Sequence, residues 1–521
     1  MKNNGGINFD TTNIAGLPAP DQIMQHTNRP SITQIIFLYL LVLLAIFAVA
    51  RLVFFEYRFL NYPYQWELRE GLQFNHGILL SEEKSIYALQ QDPPVVLEPY
   101  GPVNPVLLSG VMRVFGKKLF AARLLSFLCF IALQMLMAYA VYRLTRRWQF
   151  VLIAIGLNTF LLSWVQWLLL CRPDSLGSLL LFATLCLHWV HPYRKVAIII
   201  SLLLIVLSFF TKVYFAMGLM FVPVSYWFFY RDRRTALCYF FSGAVLLFAS
   251  MGIANHLTNG LYHFFTFELM SKWVTYSLDH LLEMFKSLLA YFFPLFVLIL
   301  YALIKKDFRY DALNVFWIQI VIGIPIFMFL LLNAGAETYY WYGIIPALTL
   351  VGMDVLYREC MKEKSPLAVT MLIFLFIIMA NKIVYSDMIQ GKMIFPSEHL
   401  SRQWQPVDDL FAHTKGHVIN DNATTTCALR AGKRLYMEGL GYRKLKDSIA
   451  KQLNYTFRDT DSEIANQAYT LIINPENESY VKQYYCLDHT YTVPLQLGKA
   501  YHLKIYAPKA YSERKDESDS D

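Results

Sequence analysis

Charged residues are scarce in this chain. Of its 521 residues only 16% are Asp, Glu, Lys or Arg, whereas 56% are hydrophobic and 16% are aromatic. Soluble globular domains carry about 25% charged residues, so the composition excludes an ordinary soluble protein and indicates a polytopic membrane protein. The formal net charge of +8 does not indicate a nucleic-acid partner, because the basic residues are spread over short connections between apolar runs.

Signals of several other protein classes are missing. The seven cysteines show no CxxC or similar metal-binding spacing. The first 32 residues are polar and lack the short apolar core of a signal peptide, so the first apolar run is expected to anchor the chain. No internal repeat and no pair of Gly/Pro-broken transporter helices stands out. Cys427 and Cys486 lie in the polar C-terminal region, and the sequence leaves open whether they form a disulfide.

Long apolar runs dominate residues 33–385. A helix that crosses a hydrocarbon core about 30 Å thick needs about 20 apolar residues, and eleven runs approach that length. They lie at 33–55, 119–141, 149–170, 175–191, 195–211, 213–230, 236–256, 281–304, 313–333, 339–357 and 366–385. We therefore expect an α-helical polytopic membrane protein with about eleven transmembrane helices.

Lys and Arg are distributed unevenly over the connections between these runs. Five connections hold fourteen basic residues, whereas the alternate connections hold three. The rich connections are 143–147, 194–195, 231–234, 305–309 and 358–364. Because positively charged loops stay in the cytoplasm, the N-terminal tail 1–32 is predicted to be cytoplasmic and the C-terminus to lie outside.

Two regions are expected on the outer side. The first loop, 56–118, contains the apolar stretch 103–116, which is too short to span and is predicted to be an interfacial helix. Residues 386–511 alternate strand-like and helix-like runs and predict a small extracytoplasmic α/β domain. The strand-like runs are 417–420, 470–473 and 501–506. The charged tail 512–521 is predicted to be disordered.

Acidic residues follow the first predicted span. Glu67 comes directly after Trp66, at the boundary between membrane and water, and Glu70 follows three residues later. A carboxylate there can accept a proton from an incoming hydroxyl group if its position and pKa suit. The alternative is that both acids form the solvated face of an interfacial helix.

Further ionisable residues fall at the same predicted face. The motif Arg172-Pro-Asp174 interrupts an apolar run. Asp174 is either a functional group or a helix cap, and in the second case Arg172 is an interfacial anchor.

Lys212 lies where positive charge is disfavoured, which indicates an anionic partner such as phosphate. The alternative is that its side chain snorkels to the interface. Glu337 precedes an aromatic cluster that includes Tyr340, although interfacial aromatics are expected in any case.

These motifs resemble those of membrane glycosyltransferases of the GT-C superfamily, in particular the protein mannosyltransferase and lipid A aminoarabinose transferase branch. The matching segments are Trp66-Glu67, Tyr100-Gly-Pro-Val-Asn-Pro105, Phe115-Gly116 to Ser126, Arg172-Pro-Asp174, Thr211-Lys212 and Tyr340 to Pro346. They are distributed over residues 33–385. The chain departs from the family pattern in lacking an adjacent Asp-Glu pair, which leaves Glu67 rather than Glu70 as the base. It also has Tyr-Gly-Pro-Val-Asn-Pro in place of a Lys-Pro-Pro type sequence.

The resemblance implies an enzyme that transfers a sugar from a polyprenyl-phosphate donor to a lipid, glycan or protein acceptor at the outer face, with inversion at the anomeric carbon. It implies Glu67 as the base that deprotonates the acceptor hydroxyl and Asp174 as the residue that positions the acceptor or the base. The residues that the resemblance implies for substrate binding are Arg172, Lys212, Glu337, Tyr340, Tyr100 and Glu70. The two cations would neutralise the departing phosphate.

The sequence does not determine whether the protein needs a cofactor. Some superfamily members bind a divalent metal, and no ligand set in this sequence decides the question. The expected location is a bacterial inner membrane, with membrane lipids as partners and no nucleic acid. Two alternatives stay open: a flippase-like transporter, whose coupling residues should lie near the bilayer midplane, and a non-catalytic envelope-assembly protein, which would need none of these ionisable groups.

Overall fold

A computed structural model describes most of the chain. The described residues are 31–88, 98–164, 169–271, 274–305, 310–333, 336, 338–362, 365–384, 394–433, 435, 460–475, 477–495 and 499–509. Glu337 and the tails 1–30 and 510–521 lie outside the described residues.

Helices make up nearly all of the described structure before residue 385. In chain order they are α1 (Ile32–Leu60), α2 (Glu70–Ser81), α3 (Val103–Phe115), α4 (Leu119–Thr145), α5 (Trp148–Trp164), α6 (Asp174–Val190), α7 (Lys195–Phe209), α8 (Gly218–Phe228), α9 (Arg233–Leu257), α10 (Leu278–Lys305), α11 (Tyr310–Leu330), α12 (Ile345–Cys360) and α13 (Pro366–Ala380). Short helical segments at Val213–Met217, Leu261–His263, Phe264–Leu269 and Thr338–Gly343 connect some of them.

Every predicted span overlaps a helix. Five helices are by themselves long and apolar enough to cross a membrane, namely Ile32–Leu60, Leu119–Thr145, Arg233–Leu257, Leu313–Leu330 and Pro366–Val384. Large apolar side chains on their outer surfaces are exposed, such as Leu43 at 63% and Phe248 at 72%. A soluble protein rarely exposes such surfaces, which are those that lipid would cover. The polytopic helical fold expected from the sequence is confirmed.

Several predicted spans extend beyond their α-helix, and two of these differences matter for the site. The run 149–170 is helical only to Trp164, and Leu169 and Leu170 lie in a non-helical turn beside Pro173. The run 339–357 begins as a short 3₁₀ segment, and α12 starts at Ile345 with Pro346 in its first turn. Proline suits a first helical turn, where no N–H donor is required. Both departures place irregular backbone at the end of the bundle that carries Asp174.

Close helix packing holds the bundle together. The first helix, α1, packs along α5 and α13, and a Cβ atom added at Gly156 would lie 2.3 Å from the Cβ of Ala45. Small residues at such contacts let helix backbones approach closely, which replaces the hydrophobic driving force that is missing in lipid.

The first loop contains two short helices. The segment predicted as interfacial is α3, which packs against α2 and α4. It buries Leu108 and Met112 and exposes Val114 and Phe115, so it has one apolar face toward the protein and another directed outward. Its position relative to the bilayer stays a prediction.

The C-terminal region has helices and a four-stranded sheet. Its helices are α14 (Glu398–Arg402), α15 (Gln405–His413), α16 (Thr425–Arg430), α17 (Thr460–Ala465) and α18 (Glu478–Tyr484). Its strands are β1 (Val418–Ile419), β2 (Leu471–Ile473), β3 (Tyr485–Leu495) and β4 (Lys499–Pro508), in the spatial order β1-β2-β4-β3. Only β1 and β2 pair in parallel. Cys427 and Cys486 are both free thiols.

Candidate functional site

A single arginine anchors the loop between α1 and α2. Arg123, on α4, is fully buried. Its guanidinium donates hydrogen bonds to the carbonyl oxygens of Phe59, Tyr62 and Tyr64 at 2.7, 2.6 and 2.7 Å. It also pairs with both carboxylate oxygens of Glu70, at 2.8 and 2.9 Å. These bonds determine the path of the chain that leads to Glu67.

Glu70 is the acidic partner of Arg123. Besides the ion pair with Arg123, its carboxylate accepts hydrogen bonds from the backbone N–H of Trp66 at 2.7 Å and of Cys171 at 3.3 Å. The side chain is fully buried, and these protein partners occupy both oxygens. The resemblance implied Glu70 as a substrate-binding residue; in the structure its carboxylate joins the first loop to the turn before Asp174.

Asp174 lies at the centre of a buried cluster of polar groups. Its Oδ1 accepts hydrogen bonds from Lys212 Nζ at 2.8 Å and from the Tyr214 hydroxyl at 3.0 Å, and its Oδ2 accepts from Arg172 Nε at 3.2 Å. The N-cap of α6 is Pro173, so Asp174 is not the helix cap that was considered as an alternative. Lys212 is only 4% exposed, which excludes snorkelling toward water.

Glu67 adjoins this cluster through arginine. Its Oε2 lies 3.6 Å from Arg172 Nη1 and accepts a hydrogen bond from the backbone N–H of Arg69 at 2.9 Å. Arg172 therefore bridges Glu67 and Asp174, the two acids predicted to be catalytic. The same guanidinium lies 4.4 Å above the ring of Tyr339, whose hydroxyl accepts a hydrogen bond from Arg69 Nη1 at 3.2 Å.

Tyrosine rings surround the ammonium group of Lys212. Its Nζ lies 4.4 Å from the ring centre of Tyr339, 4.9 Å from that of Tyr100, 5.1 Å from that of Tyr214 and 5.4 Å from that of Tyr340. A cation over an aromatic face gains about 2 kcal/mol or more when it is desolvated. These rings and Asp174 together offset the cost of burying the charge.

The Tyr100 segment is held against the Lys212 turn by close backbone contact. A Cβ atom at Gly101 would lie 1.9 Å from the carbonyl oxygen of Phe210, so only glycine fits there. Behind it, the carboxylate of Glu98 accepts a hydrogen bond from the Tyr100 backbone N–H at 2.7 Å and pairs with His76 at 2.5 Å. This support fixes one wall of the site.

The pKa of Asp174 reflects its partners. Burial alone would raise the pKa of this carboxyl group, but the charges of Lys212 and Arg172 and the hydrogen bonds from Lys212 and Tyr214 lower it below its usual value. Asp174 is therefore ionised at neutral pH. A carboxylate of this kind holds cations in place and is a poor proton acceptor.

The structure brings together most of the residues that the sequence singled out. Those found in one cluster are Glu67, Asp174, Arg172, Lys212, Tyr100 and Tyr340. Sequence reasoning missed Arg69, Tyr214 and Tyr339. Each missed residue lies one or two positions from a predicted one, and that proximity was the available signal. Glu337 cannot be placed because it lies outside the described residues.

The part of the chain that the structure describes shows no evident set of metal ligands. No group of three or more His, Cys, Asp or Glu side chains is placed there to hold an ion. Glu67 and Asp174 contact cationic side chains instead.

Comparison with known proteins gives a likeness of fold. No family model matches the chain, and no curated protein matches it. Two crystal structures of ArnT from Cupriavidus metallidurans do match. The apo structure is 13% identical with a TM-score of 0.57, and the structure bound to undecaprenyl phosphate is 14% identical with a TM-score of 0.58. Each match covers 89% of this chain and 97% of ArnT. The chain therefore has an ArnT-like fold, which agrees with the fold expected from the resemblance of its motifs.

Proposed function

We propose that this protein is a glycosyltransferase that moves a sugar from a polyprenyl-phosphate donor to an acceptor hydroxyl at the outer face of a bacterial inner membrane, with inversion at the anomeric carbon. The observation that carries the proposal is the buried cluster in which Arg172 bridges Glu67 and Asp174 while Lys212 lies among tyrosine rings. The ArnT-like fold supports it, since one ArnT structure has undecaprenyl phosphate bound.

The charge balance of the cluster suits a phosphate. Among the described residues of the cluster, the cations Arg69, Arg172 and Lys212 outnumber the acids Glu67 and Asp174 by one. The phosphodiester of a polyprenyl-phosphate sugar carries a single negative charge, which this excess would neutralise. Guanidinium and ammonium groups bind phosphate oxygens through short, charge-assisted hydrogen bonds.

The same cations would act in the chemical step. When the bond between the anomeric carbon and the phosphate oxygen breaks, its electron pair stays on the phosphate, which gains a second negative charge. Cations that are already in place stabilise this developing charge without reorganisation. Asp174 contributes by holding Lys212 and Arg172 in position rather than by taking a proton.

Glu67 is the proposed general base. The acceptor oxygen attacks the anomeric carbon from the face opposite the phosphate, which inverts the configuration, and its proton passes to Glu67. Glu67 is 5% exposed, and its Oε2 lies 3.6 Å from Arg172 Nη1 and accepts a hydrogen bond from the backbone N–H of Arg69 at 2.9 Å. A carboxylate in this setting is positioned by the protein and can still accept a proton.

The remaining predicted residues complete the proposed donor site. Tyr100 and Tyr340 contribute rings beside Lys212, and we propose that they line the donor pocket. The outward orientation rests on the distribution of basic residues over the loops. With that orientation the C-terminal region lies outside the membrane, near the acceptor, which is a lipid, glycan or protein hydroxyl.

The test is sugar transfer from a radiolabelled polyprenyl-phosphate donor in membranes that contain the wild type or Glu67→Gln. Loss of a general base typically lowers the rate about 10²–10⁴-fold, and we expect a loss in that range. Glu83→Gln is the matched control, since Glu83 lies in the same loop and is exposed. Equal transfer by the wild type and Glu67→Gln would remove the base from the mechanism.

A further inference from the structure

The loop that carries Glu67 is held from two sides. On one side, Arg123 donates hydrogen bonds to the carbonyl oxygens of Tyr62 and Tyr64 in the loop and of Phe59 at the end of α1. On the other side the loop contacts the C-terminal region, where α16 packs against α2. A Cβ atom at Gly71 would lie 2.6 Å from the Gln65 side chain and 2.8 Å from Thr425, which shows how closely the two regions meet.

Gln65 makes the central contact between the two regions. Its side chain is fully buried. The Nε2 atom donates hydrogen bonds to the carbonyl oxygen of Asn422 at 2.6 Å and to that of Glu67 at 3.4 Å, and Oε1 accepts from the backbone N–H of Thr426 at 3.2 Å. The carboxamide supplies both the N–H donor and the oxygen acceptor that these contacts require.

Gln65 therefore connects the C-terminal region to the backbone of the proposed base. Glu67 is two residues further along, and its own carbonyl oxygen is one of the partners of the Gln65 amide. A displacement of the C-terminal region would be transmitted to Glu67 through these bonds.

Tyr64 provides a second, adjacent contact. Its hydroxyl donates a hydrogen bond to Asp408 Oδ2 at 2.7 Å. Its ring stacks on Trp404, with ring centres 5.3 Å apart, and lies 4.4 Å from the guanidinium of Arg430. Arg430 also pairs with Asp408. Two consecutive residues of the loop are thus fixed by the C-terminal region.

We propose that the C-terminal region is part of the catalytic apparatus, because it positions the general base through Gln65. The inference rests on the proposed function of Glu67. A general base must lie within about 2.6–3.2 Å of the proton it removes, and a displacement of about 1 Å costs about 10²-fold in rate. Gln65 is a positioning residue, and Tyr64 assists it.

The test is the substitution Gln65→Glu, which keeps the volume of the side chain but removes its N–H donors. The new carboxylate would face the carbonyl oxygens of Asn422 and Glu67. We expect kcat for sugar transfer to fall about 10²-fold, with the KM for the polyprenyl-phosphate donor and the affinity for undecaprenyl phosphate unchanged. Gln483→Glu, the same change on an exposed side chain of the same region, should behave like the wild type.

A merely structural role would lower kcat and donor affinity together, and that result would overturn the proposal, as would wild-type kcat. If Gln65→Glu does not yield folded protein, Tyr64→Phe provides the test of the positioning role. This substitution removes one hydroxyl group and keeps the ring stacking. It should lower kcat to a smaller extent at unchanged KM. Unchanged kcat in that variant would overturn the proposal. An inactive Glu67→Gln with a fully active Gln65→Glu would reject the positioning role alone, whereas a fully active Glu67→Gln would reject the base itself.

Discussion

Removing the charge of Asp174 should destabilise the protein as well as inactivate it. Asp174→Asn keeps the shape of the side chain but leaves Lys212 and Arg172, both buried, without the carboxylate they contact at 2.8 and 3.2 Å. Breaking a buried ion pair by removing one partner costs about 3–5 kcal/mol. We expect the free energy of unfolding to fall by about that amount.

A second substitution separates charge balance from chemistry. Lys212→Met removes the ammonium group and keeps most of the side-chain stem. In the double variant with Asp174→Asn both charges are absent, while Arg172 still contacts Glu67. Because replacing both members of a buried pair with neutral groups is often neutral for stability, most of the lost stability should return. Transfer should not return, since the loss of one preorganised stabilising group costs about 10²–10³ in rate.

Both quantities are measurable on the same detergent-purified samples, by thermal unfolding and by radiolabelled sugar transfer. Asp409→Asn, on an exposed acid of the C-terminal region, is the matched control and should change neither. An Asp174→Asn variant as stable as the wild type would refute the view that Asp174 compensates the buried cations. A double variant with wild-type transfer would refute the role of Lys212.

Two further predictions concern the site wall and the orientation. Gly101→Ala should destabilise the protein by about 1–3 kcal/mol through overpacking and should slow sugar transfer. Gly110→Ala is the control and should be tolerated, because Gly110 has open space around it. Equal melting temperatures and transfer rates in the two variants would contradict this prediction. In a background where Cys238 and Cys486, which are not buried, are replaced by Ser, an impermeant maleimide applied to intact cells should label Lys84→Cys and not Arg147→Cys. The opposite labelling would contradict the outward orientation.

The helical bundle was predictable because a bilayer imposes a length on each apolar run. That rule alone predicts the helices at 33–55 and 119–141. The ends of two runs were not predictable in this way, because the backbone at residues 169–170 and at Thr338–Gly343 is not α-helical although the sequence there stays mainly apolar or aromatic. In the C-terminal region β3 was missed, since residues in its middle are exposed and polar and show no strand-like alternation of apolar residues.

The site was predictable as a set of residues on one face but not as a set of contacts. The partner of Glu70 is Arg123, 53 residues away on another helix. A charged residue in the run 119–141 was nevertheless a signal, since ionisable groups in apolar helices usually have partners or functions. That Tyr339, rather than Tyr340, lies under both Arg172 and Lys212 depends on the 3₁₀ turn before α12, which residue spacing does not predict.

The central claim is that the cations around Asp174 receive a polyprenyl phosphate, and binding of undecaprenyl phosphate to the purified protein tests it most directly. The wild type should bind, and Lys84→Met, which alters an exposed lysine of the first loop, should bind equally well. Lys212→Met should bind far more weakly, because it removes the ammonium group from the proposed phosphate site. Equal affinity in Lys212→Met and the wild type would contradict the account.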